Sequence, residues 1–354
     1  MKNVVTGILF VAGVGLGCSS TQEQDTGDAS PGVEPDGSAQ GSADAGWVPA
    51  CVAGNDMCTL ATEQDYARDI AVDGTSVYWT VVGAGVVRRA PLGGGAASNL
   101  TTGQSTPMGI AVNAQAVFWT TQGTGPSFTN ATVMSLPLGG TASSAIAQNQ
   151  TQTEHMALTA TNVFWVNQGT AQLTNGSIVT ARLDGSNQST LASGLTNANF
   201  VAADDSYAYF TTAGTAPDYA DGAVWCVPVG GGPVASVASN QASAWSIVVD
   251  DKNVYWTDAV ASGAVMSVPK GGGVPKVLAQ GQQRPNILCL DDSFVYWTNY
   301  DAGTLVRTPK TGGGISTLVT GMTNPESCVV DATTVYLTTR GTGHVDGSVL
   351  RVPK

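Results

Sequence analysis

One short segment recurs seven times along this 354-residue chain, and its commonest form is Val-Tyr-Trp-Thr. The third residues of the copies lie 40 to 46 residues apart, and they are Trp79, Trp119, Trp165, Phe210, Trp256, Trp297 and Leu337. A period of that length is typical of a four-stranded propeller blade. The chain is therefore predicted to be all-β and to form a seven-bladed β-propeller.

Each copy carries the signals of four short strands, a to d, in the same order. In the fifth copy an apolar run at 247–249 precedes the turn residue Asp250 and the motif at 254–257. An alternating run at 264–269 and a final run at 276–278 follow, with three glycines between them. Period-two alternation predicts strands, and Gly or Asp clusters predict the turns that join them.

The two ends of the repeat array predict how the ring closes. The segment Cys58–Ala61 precedes the first copy as Ser316–Val319 precedes the seventh, so it is expected to be an isolated strand d. The seventh repeat, which runs to Lys354, carries the signals of strands a, b and c alone. Pairing these segments would remove two exposed sheet edges. We expect one propeller over residues 51–354, its last blade closed by an N-terminal outer strand.

The segment Tyr255-Trp256-Thr257-Asp258 resembles the YWTD-type repeat of low-density-lipoprotein-receptor propellers and their bacterial relatives. The repeat pattern extends the resemblance over nearly all of residues 51–354. The receptor propellers have six blades, whereas seven copies predict seven here. The resemblance implies a binding or scaffolding module, because members of this broad group mostly have such roles.

The first eighteen residues resemble the export signal of bacterial lipoproteins. Lys2 supplies a positive charge, 4–16 form a short apolar run, and Gly15-Leu16-Gly17-Cys18 is similar to a lipobox. This resemblance implies a lipidated Cys18 and, because Ser19 follows it, an outer-membrane lipoprotein that faces the periplasm or the cell surface. An ordinary signal peptide, cleaved elsewhere, is the alternative.

Residues 19–50 contain six acidic residues and no basic one, in a background of Ser, Gly, Ala and Pro. Such a segment cannot bury enough apolar surface to offset its ordering entropy, so a disordered acidic tether is expected. The whole chain has 14 Lys and Arg against 26 Asp and Glu, a net charge of -12. That charge argues against binding of nucleic acid, because phosphate backbones attract basic surfaces.

Residues that repeat in every blade are expected to be structural. The five motif tryptophans should pack between adjacent blades, because an aromatic ring buries a large area. Aspartates at the a-to-b turn should close Asx-turns on their own backbone, and they are Asp73, Asp204, Asp250, Asp291 and Asp331. We expect no cofactor and no metal site, since the sequence lacks metal-ligand spacing.

Residues that break the repeat near the channel mouth are the candidates for binding. The d-to-a and b-to-c loops share that face, and the b-to-c loops of blades two to four are long enough to form a wall against which a ligand could lie. The candidate binding residues are Arg68, Asp69, Phe128, Glu154, His155, Asp218, Tyr219, Trp245, Arg284, Asn286, Tyr300, Glu326, Arg340 and His344.

The cysteines divide into two predicted groups. Cys51 and Cys58 are close in sequence at the ring closure, and a disulfide between them is expected in an oxidising envelope. Cys226, Cys289 and Cys328 lie in strands of different blades, and the last two differ by one position in register. We expect these three to be small, buried and unpaired residues.

Three functions remain open from the sequence. The first is a monomeric propeller, attached to the membrane by its lipid alone, that binds a protein, peptide or glycan in the cell envelope. The second is a lyase or hydrolase at the channel mouth, in which Glu154 and His155, beside Arg284 and Glu326, would supply an acid, a base and charge stabilisation. The third is a structural spacer.

Overall fold

The computed structural model describes residues 57–169 and 174–354, and in these ranges all regular secondary structure is β-strand. The strands form seven four-stranded antiparallel sheets. Within the described ranges, no helix has the length and apolarity needed to cross a membrane. The predicted signal peptide, the tether, Cys18 and Cys51 lie outside the described residues, so these features stay predictions.

The first four blades follow one another along the chain. Blade 1 contains β2 (Ala67–Val72), β3 (Ser76–Val81), β4 (Val86–Pro91) and β5 (Ser98–Thr101). Blade 2 contains β6 (Pro107–Val112), β7 (Ala116–Thr121), β8 (Ala131–Pro137) and β9 (Ser144–Gln150). Blade 3 contains β10 (Thr153–Leu158), β11 (Asn162–Asn167), β12 (Gly176–Arg182) and β13 (Ser189–Leu195). Blade 4 contains β14 (Ala198–Ala203), β15 (Tyr207–Thr212), β16 (Gly222–Pro228) and β17 (Ala235–Gln241).

The last three blades complete the ring. Blade 5 contains β18 (Ala244–Val249), β19 (Asn253–Asp258), β20 (Gly263–Pro269) and β21 (Lys276–Gln282). Blade 6 contains β22 (Pro285–Leu290), β23 (Phe294–Asn299), β24 (Thr304–Pro309) and β25 (Ser316–Val319). Blade 7 contains β26 (Pro325–Val330), β27 (Thr334–Thr339), β28 (Gly347–Pro353) and, as its outer strand, β1 (Cys58–Gln64).

The predicted closure of the ring is confirmed. Strand β1 pairs antiparallel with β28, with Cys58 opposite Arg351 and Gln64 opposite Gly347. The N-terminal strand thus takes the place that β25 holds in the preceding blade. The all-β, seven-bladed fold that the repeat predicts is therefore the fold of the chain.

The predicted aspartate turns are also present. In blade 5, Asp250 Oδ1 accepts hydrogen bonds from the backbone N–H groups of Lys252 and Asn253, and its Oδ2 accepts one from the hydroxyl of the motif residue Tyr255. Asp73, Asp291 and Asp331 make the same three kinds of bond in their blades. Each such aspartate therefore ties its turn to the second strand.

The motif tryptophans are fully buried and pack against the preceding blade, as predicted. Each indole N–H also donates to a glutamine fifteen residues earlier, at or just after the outer strand of that blade. Trp119 Nε1, for example, lies 2.8 Å from Gln104 Oε1. The other pairs are Trp79 with Gln64, Trp165 with Gln150, Trp256 with Gln241 and Trp297 with Gln282.

Where the tryptophan is replaced, the glutamine is replaced as well. Phe210 has Leu195 fifteen residues before it, and the two share one apolar cluster. Leu337 has Met322 at the same spacing, again in a shared cluster. A buried indole N–H needs an acceptor, whereas a phenyl or aliphatic side chain does not. The blade interface therefore keeps either a hydrogen-bonded pair or an apolar pair.

The expectation that Cys289 and Cys328 are unpaired is wrong. The strand named first in each blade faces the central channel and is its inner strand, and the inner strands are β2, β6, β10, β14, β18, β22 and β26. Cys289 and Cys328 form a disulfide between the inner strands of blades 6 and 7, with their Cα atoms 5.9 Å apart. Cys289 is the fifth residue of β22 and Cys328 the fourth of β26, and the one-residue offset does not prevent pairing between neighbouring inner strands. Cys226 is free and half-buried. The predicted Cys51–Cys58 bridge involves a residue outside the described ranges.

Tryptophan occurs with glutamine fifteen residues before it, and an apolar replacement occurs with an apolar partner. We therefore expect the effects of substituting the two residues on stability to be coupled. Gln104→Leu alone leaves the Trp119 indole N–H without its acceptor, and we expect it to lower the free energy of unfolding by about 1–3 kcal/mol. In a double-mutant cycle with Trp119→Phe, measured by chemical unfolding, the double variant should be more stable than the sum of the singles by about 0.5–3 kcal/mol. Strict additivity would contradict the pairing.

Candidate functional site

Each inner strand begins with a β-bulge, in which the second and third residues are not paired with the neighbouring strand. In β2, Ala67 pairs with Val81 and the next paired residue is Ile70. The same shift between the first and fourth residues occurs in the other six inner strands. Bulges re-aim side chains, and here they free the second and third residues of every inner strand from the pairing pattern.

These two positions carry most of the chemical variety of the inner strands, whose last three residues are nearly all apolar. The second residues are Arg68, Met108, Glu154, Asn199, Trp245, Asn286 and Glu326. The third residues are Asp69, Gly109, His155, Phe200, Ser246, Ile287 and Ser327. We call the end of the ring where the inner strands begin the mouth face, and the opposite end, which holds the aspartate turns, the turn face.

A chain of alternating charges lies at the mouth face. Arg68 Nη1 is 2.5 Å from Glu326 Oε2, and Arg68 Nη2 is 3.7 Å from Glu154 Oε2. Arg340 Nη1 is 3.7 Å from Glu326 Oε1, and Gln122 Nε2 donates to Glu154 Oε1 at 2.7 Å. We call Arg68, Glu154, Glu326 and Arg340 the charge layer. Since Arg68 reaches Glu154 from blade 1 to blade 3, the layer extends past blade 2.

Burial shifts the protonation of this layer. It raises the pKa of Glu154 to about 7, although Arg68 and Gln122 act in the opposite direction. Burial alone would lower the pKa of Arg68, but Tyr66, Glu326 and Glu154 raise it overall. The guanidinium is therefore a fixed charge, while Glu154 exchanges a proton near neutral pH.

The third residues form a second group, one layer below. His155 Nδ1 is 3.9 Å from Asp69 Oδ2, and its ring stacks on Phe200 with the centroids 3.5 Å apart. Phe200 in turn lies 5.6 Å from the ring of Trp245. Burial, together with repulsion from Arg68, lowers the pKa of His155 well below its usual value, so the imidazole is neutral.

Asp69 is held rigidly beneath the charge layer. Its carboxylate accepts hydrogen bonds from the Ser327 hydroxyl at 2.7 Å and from the backbone N–H groups of Ile70 and Ile110 at 2.9 and 3.0 Å. Burial raises its pKa, and these hydrogen bonds oppose that rise. The three donors come from blades 7, 1 and 2, so Asp69 also joins neighbouring blades.

Two arginine–tyrosine stacks lie at the mouth, one in blade 6 and one at the junction of blades 7 and 1. The Arg340 guanidinium lies 4.1 Å from the Tyr66 ring centroid, and Tyr66 lies 5.3 Å from the His344 ring. The Arg284 guanidinium lies 4.8 Å from the Tyr300 ring and forms an ion pair with Asp301. Arg68, rather than Arg284, is thus the arginine that contacts Glu154.

The remaining candidates are partly structural. Asn286 is buried, and its Nδ2 donates to the backbone carbonyl of Glu326 at 3.1 Å, which ties blade 6 to blade 7. Phe128 and Tyr219 occupy matching places in the b-to-c loops of blades 2 and 4, each with a backbone N–H that donates to a threonine carbonyl four residues earlier. Asp218, beside Tyr219, is exposed.

The long loops predicted over blades 2 to 4 are described in part. Those of blades 2 and 4 are closed by side-chain acceptors, Asn130 for the N–H of Thr124 and Asp221 for that of Thr215. Residues 170–173 of the blade 3 loop lie outside the described ranges. The wall that these loops would form therefore stays a prediction.

Sequence reasoning missed several members of the site. Tyr66, Gln122, Phe200 and Ser327 contact predicted residues but were not among the candidates. An alignment of the seven inner strands on their first residue would have indicated Phe200 and Ser327, since both stand in the variable third position. Tyr66 directly precedes β2 as the candidate Arg284 precedes β22, and Gln122 directly follows β7 as the candidate Tyr300 follows β23. Extending the alignment by one residue at these strand ends would therefore have indicated both. In the ranges described, no group of three or more His, Cys, Asp or Glu side chains could hold a metal ion.

No family model matches the chain, and no curated protein matches it by sequence. Solved structures do match its fold. A streptogramin B lyase has a TM-score of 0.65 and 12% identity, over 83% of this chain and 96% of that one. The virginiamycin B lyase from Staphylococcus aureus has a TM-score of 0.64 and 11% identity, over 84% and 98%.

Two further structures extend the comparison. An oligogalacturonate lyase in complex with manganese has a TM-score of 0.63 and 13% identity, over 88% of this chain and 95% of that one. A nidogen/laminin complex has a TM-score of 0.47 and 18% identity, over 75% and 85%, which is too distant to carry an argument. These similarities show the propeller fold alone, and that fold hosts both binding proteins and enzymes.

The raised pKa of Glu154 predicts a pH dependence of stability. An acid with a higher pKa in the folded state binds more protons when folded, so stability falls as the pH rises from about 4.5 to 7. Glu154→Gln cannot titrate. Relative to this variant, the parent should lose roughly 2–3 kcal/mol of unfolding free energy over that range, at about 1.4 kcal/mol per pKa unit.

Chemical unfolding of both proteins at several pH values between 4 and 8 measures this difference. Asp258, whose pKa burial also raises to about 7, is present in both proteins and cancels in the comparison. A stability difference that does not change with pH would show that folding leaves the pKa of Glu154 unchanged, and would contradict this prediction.

Proposed function

We propose that this chain is an exported binding propeller whose mouth face recognises a protein or peptide partner. The observation that carries the proposal is the pair of ordered arginine–tyrosine stacks, Arg340 on Tyr66 and Arg284 on Tyr300, on neighbouring blades at the channel mouth. Tyrosine, tryptophan and arginine are the residue types that dominate binding energy at protein interfaces.

Both stacks are held in place before any partner arrives. Asp301 fixes Arg284, and Glu326 of the charge layer holds Arg340 from below. Burial raises the pKa of Tyr66 to about 12, so its hydroxyl is neutral at physiological pH. Side chains that are already ordered lose little entropy on binding, which favours affinity.

The half-buried Trp245 adds an aromatic surface beside the stack of Arg284 on Tyr300. It belongs to blade 5, next to blade 6, which carries Arg284 and Tyr300. Its ring contacts Phe200 from the side. A rigid aromatic group at the mouth is typical of an anchor residue in a protein interface.

The disulfide between Cys289 and Cys328 supports export. Disulfides persist in oxidising compartments and are rare in the cytosol. It is in keeping with a signal peptide at 1–18, a lipidated Cys18 and an acidic tether at 19–50, all of which belong to this proposal. The tether would hold a monomeric propeller away from the outer membrane and leave its mouth face accessible.

A second candidate is an enzyme at the same mouth, by analogy with the lyases that share the fold. One specific observation favours it: buried Glu154, with a pKa of about 7 and an arginine beside it, has the properties of a general acid or base. It ranks second because the predicted catalytic set is divided. Glu154 contacts Arg68 in the charge layer, His155 faces Asp69 below it, and Arg284 pairs with Asp301 at the surface.

Site-specific photocrosslinking in the native envelope tests the binding proposal. Benzoylphenylalanine replaces Tyr300 on the mouth face in one protein and Tyr207, which is exposed on the turn face, in a matched control. We expect one defined adduct from position 300 and at least about tenfold less from position 207, because a specific partner occupies one face. Adding Trp245→Ala and Arg284→Ala should remove the adduct.

The mass of the adduct separates the partner classes. A peptide or protein mass supports the proposal, whereas a glycan mass would replace the proposed partner by a carbohydrate. Equal adducts from both positions, or adducts from position 207 alone, would contradict the mouth-face assignment. No adduct from either position would favour a spacer.

A further inference from the structure

A cavity of about 380 Å³ occupies the centre of the ring, between the seven inner strands. Its lining begins at the third residues of the inner strands, among them Asp69 and His155, and continues to the last residues of β14, β18, β22 and β26. Volumes of this size are typical of sites for small molecules. None of the binding candidates at the second position of the inner strands lines it.

The cavity opens on the turn face. Its outer residues include Ala203, Val249, Leu290 and Val330, which are partly exposed and directly precede the aspartate turns. At the other end the lining stops below the level of the charge layer, where Arg68 links Glu154 to Glu326. This cavity is therefore separate from the mouth-face surface of the proposed function.

The walls of the cavity are apolar. Val201, Ile247 and Leu288 line it at the fourth position of three consecutive inner strands, and the disulfide between Cys289 and Cys328 lines it from blades 6 and 7. Removing apolar ligand surface from water against such walls stabilises a complex. The walls therefore fit an uncharged aliphatic or aromatic group.

The inner end of the cavity is polar, and one of its groups lacks a partner. His155 is 8% exposed, and its Nε2 atom has no hydrogen-bond partner among the described residues. We assign the imidazole proton to Nδ1, because the Asp69 carboxylate 3.9 Å away favours a positive hydrogen on that side, and this assignment leaves Nε2 as an acceptor. A buried acceptor without a partner is unfavourable, so a ligand donor there would be stabilised.

A matching donor lies at the same depth. The Ser246 hydroxyl, at the third position of β18, accepts a hydrogen bond from the backbone N–H of Leu288 at 3.0 Å. Its own hydrogen therefore points away from Leu288 and can be donated to a ligand oxygen. A ligand hydroxyl both donates and accepts, so it suits the combination of His155 and Ser246. A charged head group does not. No Lys or Arg is among the described residues that line the cavity, so an anion would lack a partner there, and Asp69 already accepts three hydrogen bonds. A buried charge is costly without a partner.

We propose that this cavity is a second site, which takes a small neutral molecule with an apolar body and a hydroxyl head through the turn face. The hydroxyl donates to His155 Nε2 at the inner end, and the apolar body lies along the inner strands of blades 4 to 7. This inference does not depend on the proposed function, because the two sites lie on opposite faces and share no second-position residue.

Titration calorimetry with two probes tests this site. 4-Propylphenol carries the hydroxyl, and 4-propylanisole has the same body with a methyl ether that cannot donate. We expect the intact protein to bind the phenol at least about tenfold more tightly than the ether, because one buried hydrogen bond distinguishes them. His155→Phe keeps the stack on Phe200 and should abolish that preference.

Two further variants locate the binding. Ile247→Trp fills the cavity and should abolish binding of both probes, whereas Val274→Ala, at an exposed residue outside both sites, should leave both affinities unchanged. Methyl resonances of the parent protein give a readout that needs no variant: those of Leu288 and Val248 should shift with the phenol, and those of Leu138 on the periphery should not.

Equal affinity for phenol and ether would overturn the role of His155. Absence of binding up to the solubility limit, or methyl shifts confined to the periphery, would overturn the site itself. If no crosslink forms from position 300 but the phenol still binds, the proposed function is contradicted and this inference stands.

Discussion

The structure depends on closure of the ring, because each blade buries its sheet faces only against its two neighbours. Closure rests on the antiparallel pairing of β1 with β28, two strands from opposite ends of the chain. Without it, blade 7 would have an exposed edge and Trp79 of blade 1 would lose the apolar residues of β1 that pack against it. Gln64, the acceptor of the Trp79 indole, is also in β1. The closing strand therefore contributes both the hydrogen bonds to β28 and the packing surface against blade 1.

The residues that stabilise the fold and the residues with functional chemistry stand at different positions of the repeat. The motif aromatics, the glutamines fifteen residues earlier and the turn aspartates repeat because every interface must solve the same packing problem. The second and third inner-strand residues are released from the ladder by a bulge, so they vary without disturbing it. That separation places Arg68, Glu154 and His155 in a rigid setting where burial alters their protonation.

Much of the fold could be predicted from the sequence because its determinants are local and repeated. The number of motif copies predicted the number of blades, their spacing predicted four strands in each blade, and the isolated segment at Cys58 indicated the closure. The disulfide was missed for a geometric reason. Cys289 and Cys328 differ by one position in register, yet inner strands of adjacent blades lie close enough around the channel for their Cα atoms to approach within 5.9 Å. The repeat pattern specifies which residues lie in each blade, but it does not specify the distance between residues of neighbouring blades.

The candidate site could be predicted in part. Sequence reasoning identified Glu154, His155 and Glu326 as exceptions to the repeat, but it assigned Arg284 to them, whereas Arg68 fills that role. Which arginine reaches a carboxylate depends on side-chain direction at a bulge, and the order of residues does not specify it. The cavity below the charge layer could not be predicted either, since its walls are apolar residues that a sequence pattern assigns to the core.

Native-state hydrogen exchange of β1 tests the central claim most directly. If β1 is the closing strand, its paired amides exchange only when the ring opens, and they should be as slow as those of β21, the equivalent outer strand of blade 5. Exchange in β1 about a hundredfold or more faster than in β21 would show that it opens independently, and would contradict a ring closed by the N-terminal strand.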